Sequence, residues 1–426
     1  MNKKVTFFFY ILLPILTVGI NFGYTIFPIC ILTLICRLLF SNKDTIGFYL
    51  LMFGGPVAGI IRTSYPSIPI YGLVLYFVGV LLMRNYFPPF LKERKASIVS
   101  MVLLILVFFM SYLFAEHTPY ANEKMFQIFF HGSLMLWGYY VYVKSNKISS
   151  EHLCQLLLFT SIAFISFLIS EYDLSVGSII NYNWLRTQLE TYAYVNKENT
   201  LIGYQNIGML SLFGYSLFLS KTYLDKKKVF FYTLIAFQII LMSGARQAIL
   251  GFLVIVFLRY AFFNYKKSIL KIVYVFIGAL MTMLFVLIIA RTGSEAIEAA
   301  MESGGSGRDL IYIDTLQIIS QHLFFGVGLG GFPLYSTLDV TWPHNFFLEL
   351  LCETGLVGIV ALFFIVITYM LNNKVSLRIC TRSENYYFLV VLALFIRVMI
   401  SGDLTESIEI FSAILAVSSI YKFRNV

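Results

Sequence analysis

Long apolar stretches alternate with short polar segments along the whole chain. A helix needs about 20 apolar residues to cross a bilayer, with a range of about 17–25. Stretches of about this length recur from residue 5 to residue 421, which predicts an all-α, polytopic integral membrane protein with about fourteen spanning helices. The predicted spans lie near residues 5–20, 24–40, 45–62, 68–84, 98–115, 124–143, 153–171, 200–220, 229–243, 246–264, 269–290, 345–371, 386–400 and 407–421. We expect one transmembrane domain over residues 1–426.

The composition agrees with this pattern. Of the 426 residues, 59% are hydrophobic and 12% are charged, whereas charged residues make up about 25% of a typical soluble domain. Such a chain has too few charges to cover the surface of a soluble protein, which excludes a cytosolic enzyme. Its high hydrophobicity also excludes an intrinsically disordered chain.

The net charge of +9 is explained by the lysines and arginines expected on the cytoplasmic side of the membrane. With both termini in the cytoplasm, most of the 31 lysines and arginines fall in inside loops or at the inner ends of spans. This is the asymmetry that the positive-inside rule describes. We therefore expect a lipid bilayer around the chain and no nucleic-acid partner.

Two predicted outward loops are long, at about residues 171–199 and 291–343. Loops of this length are often functional. The second loop is expected to contain short helices, one after Ser294 and one from Arg308 to His322. The glycine-rich segment 303–307 separates the two.

Several arginines are placed against the positive-inside trend, outside or near the outer membrane face. A guanidinium keeps its charge and binds phosphate through two parallel hydrogen bonds, so an outward cluster suits a lipid-linked phosphate or diphosphate. The alternative is a salt bridge with a loop carboxylate, or no role at all. These residues are Arg186, Arg246, Arg291, Arg308 and Arg397.

His344 lies where the second long loop meets a predicted helix, beside Asn345. The positive end of a helix dipole favours the neutral imidazole, and a neutral imidazole can act as a general base near pH 7. The alternative is a structural histidine that caps the helix.

Two carboxylates, Glu349 and Glu353, lie four residues apart and therefore share one face of that helix. They could form an acid–base pair. Carboxylates within a helix bundle are more often paired with arginines, and this second interpretation is the one we favour.

The segment Gly326–Gly331, which includes Gly328, fits the GxGxxG pattern. A nucleotide-binding fingerprint needs a preceding strand within a βαβ unit, and none is predicted here. We expect instead a tight turn that redirects the loop toward the membrane.

Four short motifs together resemble the O-antigen ligase and polymerase superfamily. Residues 243–251 (SGARQAILG) are similar to its SGSRxAxxG stretch, with Ala245 where serine is usual. Residues 326–332 resemble its GVGxGxF turn, and residues 343–358 resemble its PHNxxLxxxxExGxxG run. Arg308 and Tyr312 match its RxxxW/Y spacing. The motifs occur in the right order within residues 243–358.

The resemblance implies a metal-independent glycosyltransferase at the outer face of the bacterial inner membrane. Its donor would be an oligosaccharide on undecaprenyl diphosphate. Arg246 and Arg308 would hold the diphosphate, Arg186 would be a further contact, and His344 would take the proton from the acceptor hydroxyl. Supporting positions would be Tyr312, Asn345, Glu349, Glu353, Gly328 and Gly331. No cofactor and no metal site is expected, since the five cysteines show no ligand spacing.

Within the superfamily we favour a Wzy-type polymerase, which transfers a growing chain onto another lipid-linked repeat unit in lipopolysaccharide or other polysaccharide biosynthesis. A co-polymerase that sets chain length is a possible partner. One alternative is the ligase, which transfers the chain to lipid A–core. Another is a flippase for the lipid-linked oligosaccharide, although the charges gather at one membrane face and no repeated halves are visible.

Overall fold

A computed structural model describes the residues that carry most of the predicted site. The described residues are 42–64, 72–145, 147–172, 174, 183–196, 204–220, 225–259, 308–338, 340–372, 387–400 and 404–418. The predicted spans at 5–20, 24–40 and 269–290 and the loop helix after Ser294 lie outside these residues.

The long regular elements in the described part of the chain are α-helices, in agreement with the predicted all-α class. Numbered over these residues, they are α1 Lys43–Ser64, α2 Gly72–Met83, α3 Phe87–Glu93, α4 Lys95–Leu113, α5 Pro119–Lys144, α6 Ser150–Glu171, α7 Trp184–Asn196, α8 Tyr204–Leu219, α9 Lys226–Ser243, α10 Arg246–Phe257, α11 Arg308–Gln321, α12 Phe332–Tyr335, α13 Phe346–Asn372, α14 Phe388–Ile400 and α15 Leu404–Ser418.

Local sequence signals explain where several of these helices begin. Thr118 accepts a hydrogen bond from the backbone N–H of Ala121, and Pro119 occupies the first position of α5. The side chain of Ser149 caps α6, and that of Asp225 caps α9. A capping oxygen takes one of the backbone donors that a helix start leaves unsatisfied, and proline lacks such a donor. Because of these caps, α5, α6 and α9 begin before the predicted apolar spans.

Four segments of the described chain are long and apolar enough to cross a membrane. They are Gly72–Glu93, Lys95–Leu113, Ser150–Ile169 and Phe346–Leu371. Shorter apolar helices occur at Arg246–Phe257, Phe388–Met399 and Ile408–Val417. The chain is therefore an all-α membrane protein, and the number of about fourteen spans stays a prediction for the whole sequence.

The chain divides into two compact units. Unit 1 comprises residues 1–87, 144–252 and 384–393, and unit 2 comprises residues 88–143, 253–383 and 394–426. The prediction of a single transmembrane domain is not tested by this division.

In unit 1, small and hydroxyl side chains allow close helix packing. A Cβ at Gly79 of α2 would lie 2.7 Å from the backbone nitrogen of Leu51 in α1. Helix α8 packs along α6, where Ser211 donates a 3.0 Å hydrogen bond to Ser161. Small residues and short polar contacts of this kind are what membrane helices use to associate.

In unit 2, buried hydroxyl groups join three helices. Ser97 of α4 shares a 2.7 Å hydrogen bond with the hydroxyl of Tyr369 in α13, and Tyr369 donates to the carbonyl of Leu415 in α15 over 2.7 Å. The long helix α13 is thus fixed near its C-terminal end, and the motif with His344 lies at its N-terminal end.

Candidate functional site

In unit 1, a glycine break between α9 and α10 is joined to the start of α7. Gly244 has a φ of +68°, and its N–H donates to the carbonyl of Leu241 over 3.2 Å. The same carbonyl accepts a 3.0 Å hydrogen bond from the N–H of Asn183, the residue before α7. This shared acceptor brings the starts of α7 and α10 to one junction.

The two predicted phosphate-binding arginines of unit 1 flank this junction. Arg246 is the first residue of α10 and is exposed. Arg186 lies in the first turn of α7, is half-buried, and places its guanidinium 5.5 Å from the ring centroid of Tyr204. Helix starts carry partial positive charge. The junction therefore combines two guanidiniums with two helix starts, which favours an anionic ligand.

In unit 2, the glycine segment forms the tight turn that the sequence predicts. Gly326, Gly328 and Gly330 have φ values of +70°, +87° and +73°, a region that glycine adopts without steric cost. A Cβ at Gly328 would approach Ala115 to 2.6 Å. A Cβ at Gly331 would approach the carbonyl of Val327 to 2.6 Å. Glycine is needed at these positions for backbone geometry and close packing.

This glycine turn packs against a break in α13. The helix is interrupted at Gly355, with φ 65° and ψ −175°. The carbonyls of Cys352 and Glu353 accept hydrogen bonds from the N–H groups of Val327 and Gly328 over 2.8 and 3.1 Å. The turn thus replaces hydrogen bonds that the helix itself would have made.

A buried ion cluster lies in the first half of α13. The ammonium of Lys124, from α5, is 2.5 Å from Glu349 and 2.7 Å from Glu353, and all three side chains have 0% exposure. The expected pairing of these carboxylates within the bundle is thus observed, and the partner seen among the described residues is a lysine, where an arginine was expected. Lys124 was not among the predicted site residues, because its partners lie more than two hundred residues away in the chain.

His344 directly precedes the capped start of α13. The side chain of Asn345 accepts hydrogen bonds from the N–H groups of Phe347 and Leu348 over 3.0 and 3.2 Å. His344 is half-buried, has a φ of +56°, and contacts the Trp342 ring edge-on at 5.1 Å. The helix cap therefore belongs to Asn345 and not to His344.

Helix α11 packs against this part of α13 and carries the remaining motif. Tyr312 is half-buried against an apolar cluster that includes Ile311, Val327, Phe332 and Cys352. Arg308 begins α11, and its side chain lies outside the described part of the structure. The predicted helix from Arg308 is confirmed, and it brings Tyr312 to the glycine turn.

Asp314, which was not among the predicted site residues, fixes the segment that leads to His344. Its carboxylate accepts hydrogen bonds from the hydroxyls of Ser336 and Thr337 over 2.6 and 2.8 Å, and from the N–H of Thr337 over 3.3 Å. Burial raises the pKa of the Asp314 carboxyl, but these hydrogen bonds lower it more, so its pKa lies below its usual value. The local sequence signals for this role of Asp314 are its partners Ser336 and Thr337, which follow the glycine turn.

We expect Asp314→Asn to loosen residues 336–343 by about 1–3 kcal/mol, because a buried hydrogen bond to a charged group is lost. Since the folded pKa is lowered, the carboxylate stabilises the fold above the unfolded pKa of about 3.9, and this contribution disappears as the pH falls through the folded pKa. Hydrogen exchange at pH 7 should therefore be faster in this segment of the variant.

The matched control is Ser320→Ala, because the exposed Ser320 hydroxyl bonds only within its own helix, to Gln317. Its exchange in residues 336–343 should equal that of the unmodified protein. Unchanged exchange in Asp314→Asn would show that Asp314 does not fix the segment.

The structure thus gathers the predicted residues into two groups. One group lies in unit 1 and consists of Arg186 and Arg246. The other lies in unit 2 and consists of Gly328, Gly331, Tyr312, His344, Asn345, Glu349 and Glu353, with the backbone of Arg308. Arg291 lies outside the described residues, and Arg397 is half-buried in α14. Within the described residues, no group of three or more His, Cys, Asp or Glu side chains could hold a metal ion.

Comparison with known proteins agrees with the motifs. A family model described as O-antigen ligase matches residues 231–363, which span both the Arg246 and the His344 motifs. No curated protein matches the chain. The apolar helices and this family match together indicate a bacterial membrane protein, and the match over residues 231–363 supports the O-antigen ligase and polymerase superfamily.

Proposed function

We propose that this protein is a polysaccharide repeat-unit polymerase of the Wzy type. It transfers a glycan chain from undecaprenyl diphosphate to another lipid-linked repeat unit at the outer face of the inner membrane, with both termini in the cytoplasm. The family match over residues 231–363 supports the glycan transfer common to polymerase and ligase, because it contains the motifs with Arg246, Arg308 and His344.

The proposed chemistry is a displacement at the anomeric carbon of the donor. The acceptor hydroxyl oxygen forms the new glycosidic bond, the bond to the diphosphate breaks, and His344 takes the hydroxyl proton. Arg246 and Arg308, with Arg186 as a further contact, stabilise the charge that develops on the leaving diphosphate. The glycosyl diphosphate is already activated, so the proposal includes neither ATP nor a metal ion.

Two features of the described residues support these roles. Arg246 is exposed at a helix start, where an anion is favoured. His344 is half-buried beside a helix that Asn345 already caps.

A ligase is the second candidate, because the matching family model is itself described as O-antigen ligase. A polysaccharide gel from a strain that lacks the gene separates the two functions. Lipid A–core with a single repeat unit identifies the polymerase, whereas bare lipid A–core with long lipid-linked polymer identifies the ligase. In a bacterium without lipopolysaccharide, single lipid-linked units exposed outside indicate the polymerase, and units trapped inside indicate a flippase.

Arg246→Lys is expected to lower the polymerisation rate at least about tenfold, since a lysine cannot reproduce the paired hydrogen bonds of a guanidinium to a diphosphate. The measurement is the initial rate with purified protein and lipid-linked repeat units. Arg84→Lys is the matched control, because Arg84 is also exposed but lies in a predicted inside loop. Equal rates in the two variants would mean that Arg246 contributes only a positive charge.

A further inference from the structure

Three consecutive large apolar residues are exposed directly before the glycine turn. The exposed fractions of Leu323, Phe324 and Phe325 are 38%, 64% and 70%. Between residues 317 and 321, at the end of α11, the exposed side chains are polar: they are Gln317, Ser320 and Gln321. The exposed surface therefore changes from polar to strongly apolar within a few residues, which is the change expected across a membrane boundary.

The apolar segment is bonded to the middle of a candidate span. The carbonyls of Leu323 and Phe324 accept hydrogen bonds from the N–H groups of Leu356 and Val357, over 2.9 and 3.1 Å, where α13 resumes after its break. From Val357 onward this helix exposes large apolar side chains, such as Val360 at 65%. Phe324 and Phe325 therefore extend the surface of α13 that faces lipid.

A second candidate span borders the same surface. The N–H of Leu329 donates to the carbonyl of Ser111, near the end of α4, over 3.4 Å. Leu113 and Phe114, which close this span, are 50% and 75% exposed. Exposed apolar side chains thus lie on α4, on α13 and on the segment 323–325, all within unit 2.

The backbone around this segment meets the requirement for contact with hydrocarbon. Non-helical backbone is tolerated at membrane depth only where its polar groups are satisfied by protein. Here the N–H groups of Val327 and Gly328 and the carbonyls of Leu323 and Phe324 all bond to the two halves of α13. At these positions the glycine turn and the helix break satisfy one another's backbone groups.

We propose that Leu323, Phe324 and Phe325 insert into the lipid leaflet at this end of the spans, with Gln321 at the aqueous side of the boundary. The occupant of the surface is lipid, because exposed apolar side chains also lie on two helices whose length and composition suit a bilayer. The insertion places the break at Gly355 and the glycine turn at the level of the lipid headgroups. Under the proposed function, a lipid-linked diphosphate is presented at this depth.

The test uses spin labels on the full chain, one copy in each lipid nanodisc. Cys30, Cys36 and Cys380 are first replaced by alanine, while the buried Cys154 and Cys352 stay in place. Labels are then introduced by Phe325→Cys, or by Phe324→Cys if the first variant folds poorly. Val360→Cys is the lipid control and Gln321→Cys is the aqueous control, only four residues from Phe325.

The readout is the accessibility of each label to dissolved oxygen, which concentrates in lipid, and to a water-soluble nickel chelate. We expect the label at position 325 to behave like that at position 360, with oxygen accessibility severalfold above that of the label at position 321. Preferential access of the nickel chelate at position 325 would overturn the proposal, because the segment would then lie in water. Protection from both agents would also overturn it, because protein would then cover the surface. Both readouts are independent of enzymatic activity.

Discussion

Replacing Lys124 with methionine is expected to destabilise the folded protein by about 3–5 kcal/mol, which is the usual loss when one member of a buried ion pair is removed. Methionine is of similar length and apolar, so the packing volume is nearly kept. Glu349 and Glu353 would then face each other in a site without exposure and without the ammonium that both now contact. The measurement is the thermal stability of the detergent-purified protein.

Two controls separate electrostatics from packing in this experiment. Lys92→Met removes an exposed lysine of α3 and should leave the stability nearly unchanged. The triple variant Lys124→Met, Glu349→Gln, Glu353→Gln removes all three charges and should recover most of the lost stability, because neutral replacement of a whole buried cluster is tolerated far better than loss of one partner. A triple variant no more stable than Lys124→Met alone would contradict the electrostatic explanation.

The ion cluster also connects the fold to the proposed site. Glu349 lies in the first turn of α13, shortly after His344. The carbonyl of Glu353 accepts hydrogen bonds from the glycine turn and from the hydroxyl of Ser111 over 2.8 Å. Lys124 therefore fixes the first half of α13, before the break at Gly355. His344 directly precedes this half, and the glycine turn bonds to its end.

The features that the sequence predicted correctly are those with a local cause. Apolar runs of membrane-crossing length predicted the helices, and a dense run of glycines predicted the turn with three positive φ values. The helix from Arg308 and the helix start after His344 were likewise visible in short segments. Each of these depends on neighbours in the chain, so one sequence is sufficient to find them.

The features that were missed depend on contacts between distant segments. Lys124 resembled an ordinary charge near the end of a span, and nothing near it indicates Glu349 or Glu353 as partners. Asp314 resembled an exposed residue of a loop helix, although it binds Ser336 and Thr337. The break at Gly355 was also hidden, because the apolar pattern continues through it and only the glycine turn packed there makes the interruption stable.

Replacing His344 is expected to have the largest effect on activity. Loss of a general base lowers a rate by about 10²–10⁴-fold. His344 has a φ of +56°, a conformation that asparagine adopts more readily than alanine. His344→Asn therefore removes the imidazole with the least backbone strain, and His344→Ala should be equally inactive and slightly less stable. The measurement is the initial polymerisation rate, together with the thermal stability of each variant.

His322→Asn is the matched control for this substitution. His322 is also half-buried and also contacts an aromatic ring, that of Tyr335 at 5.0 Å, but it lies outside the predicted motifs. Its variant should keep a rate within about threefold of the original, since no catalytic role is assigned to it. If His344→Asn is as active as His322→Asn, the imidazole of His344 is structural. The proton of the acceptor hydroxyl must then go to another group, and the general-base assignment to His344 fails. The diphosphate-binding role of Arg246 is tested separately, by Arg246→Lys.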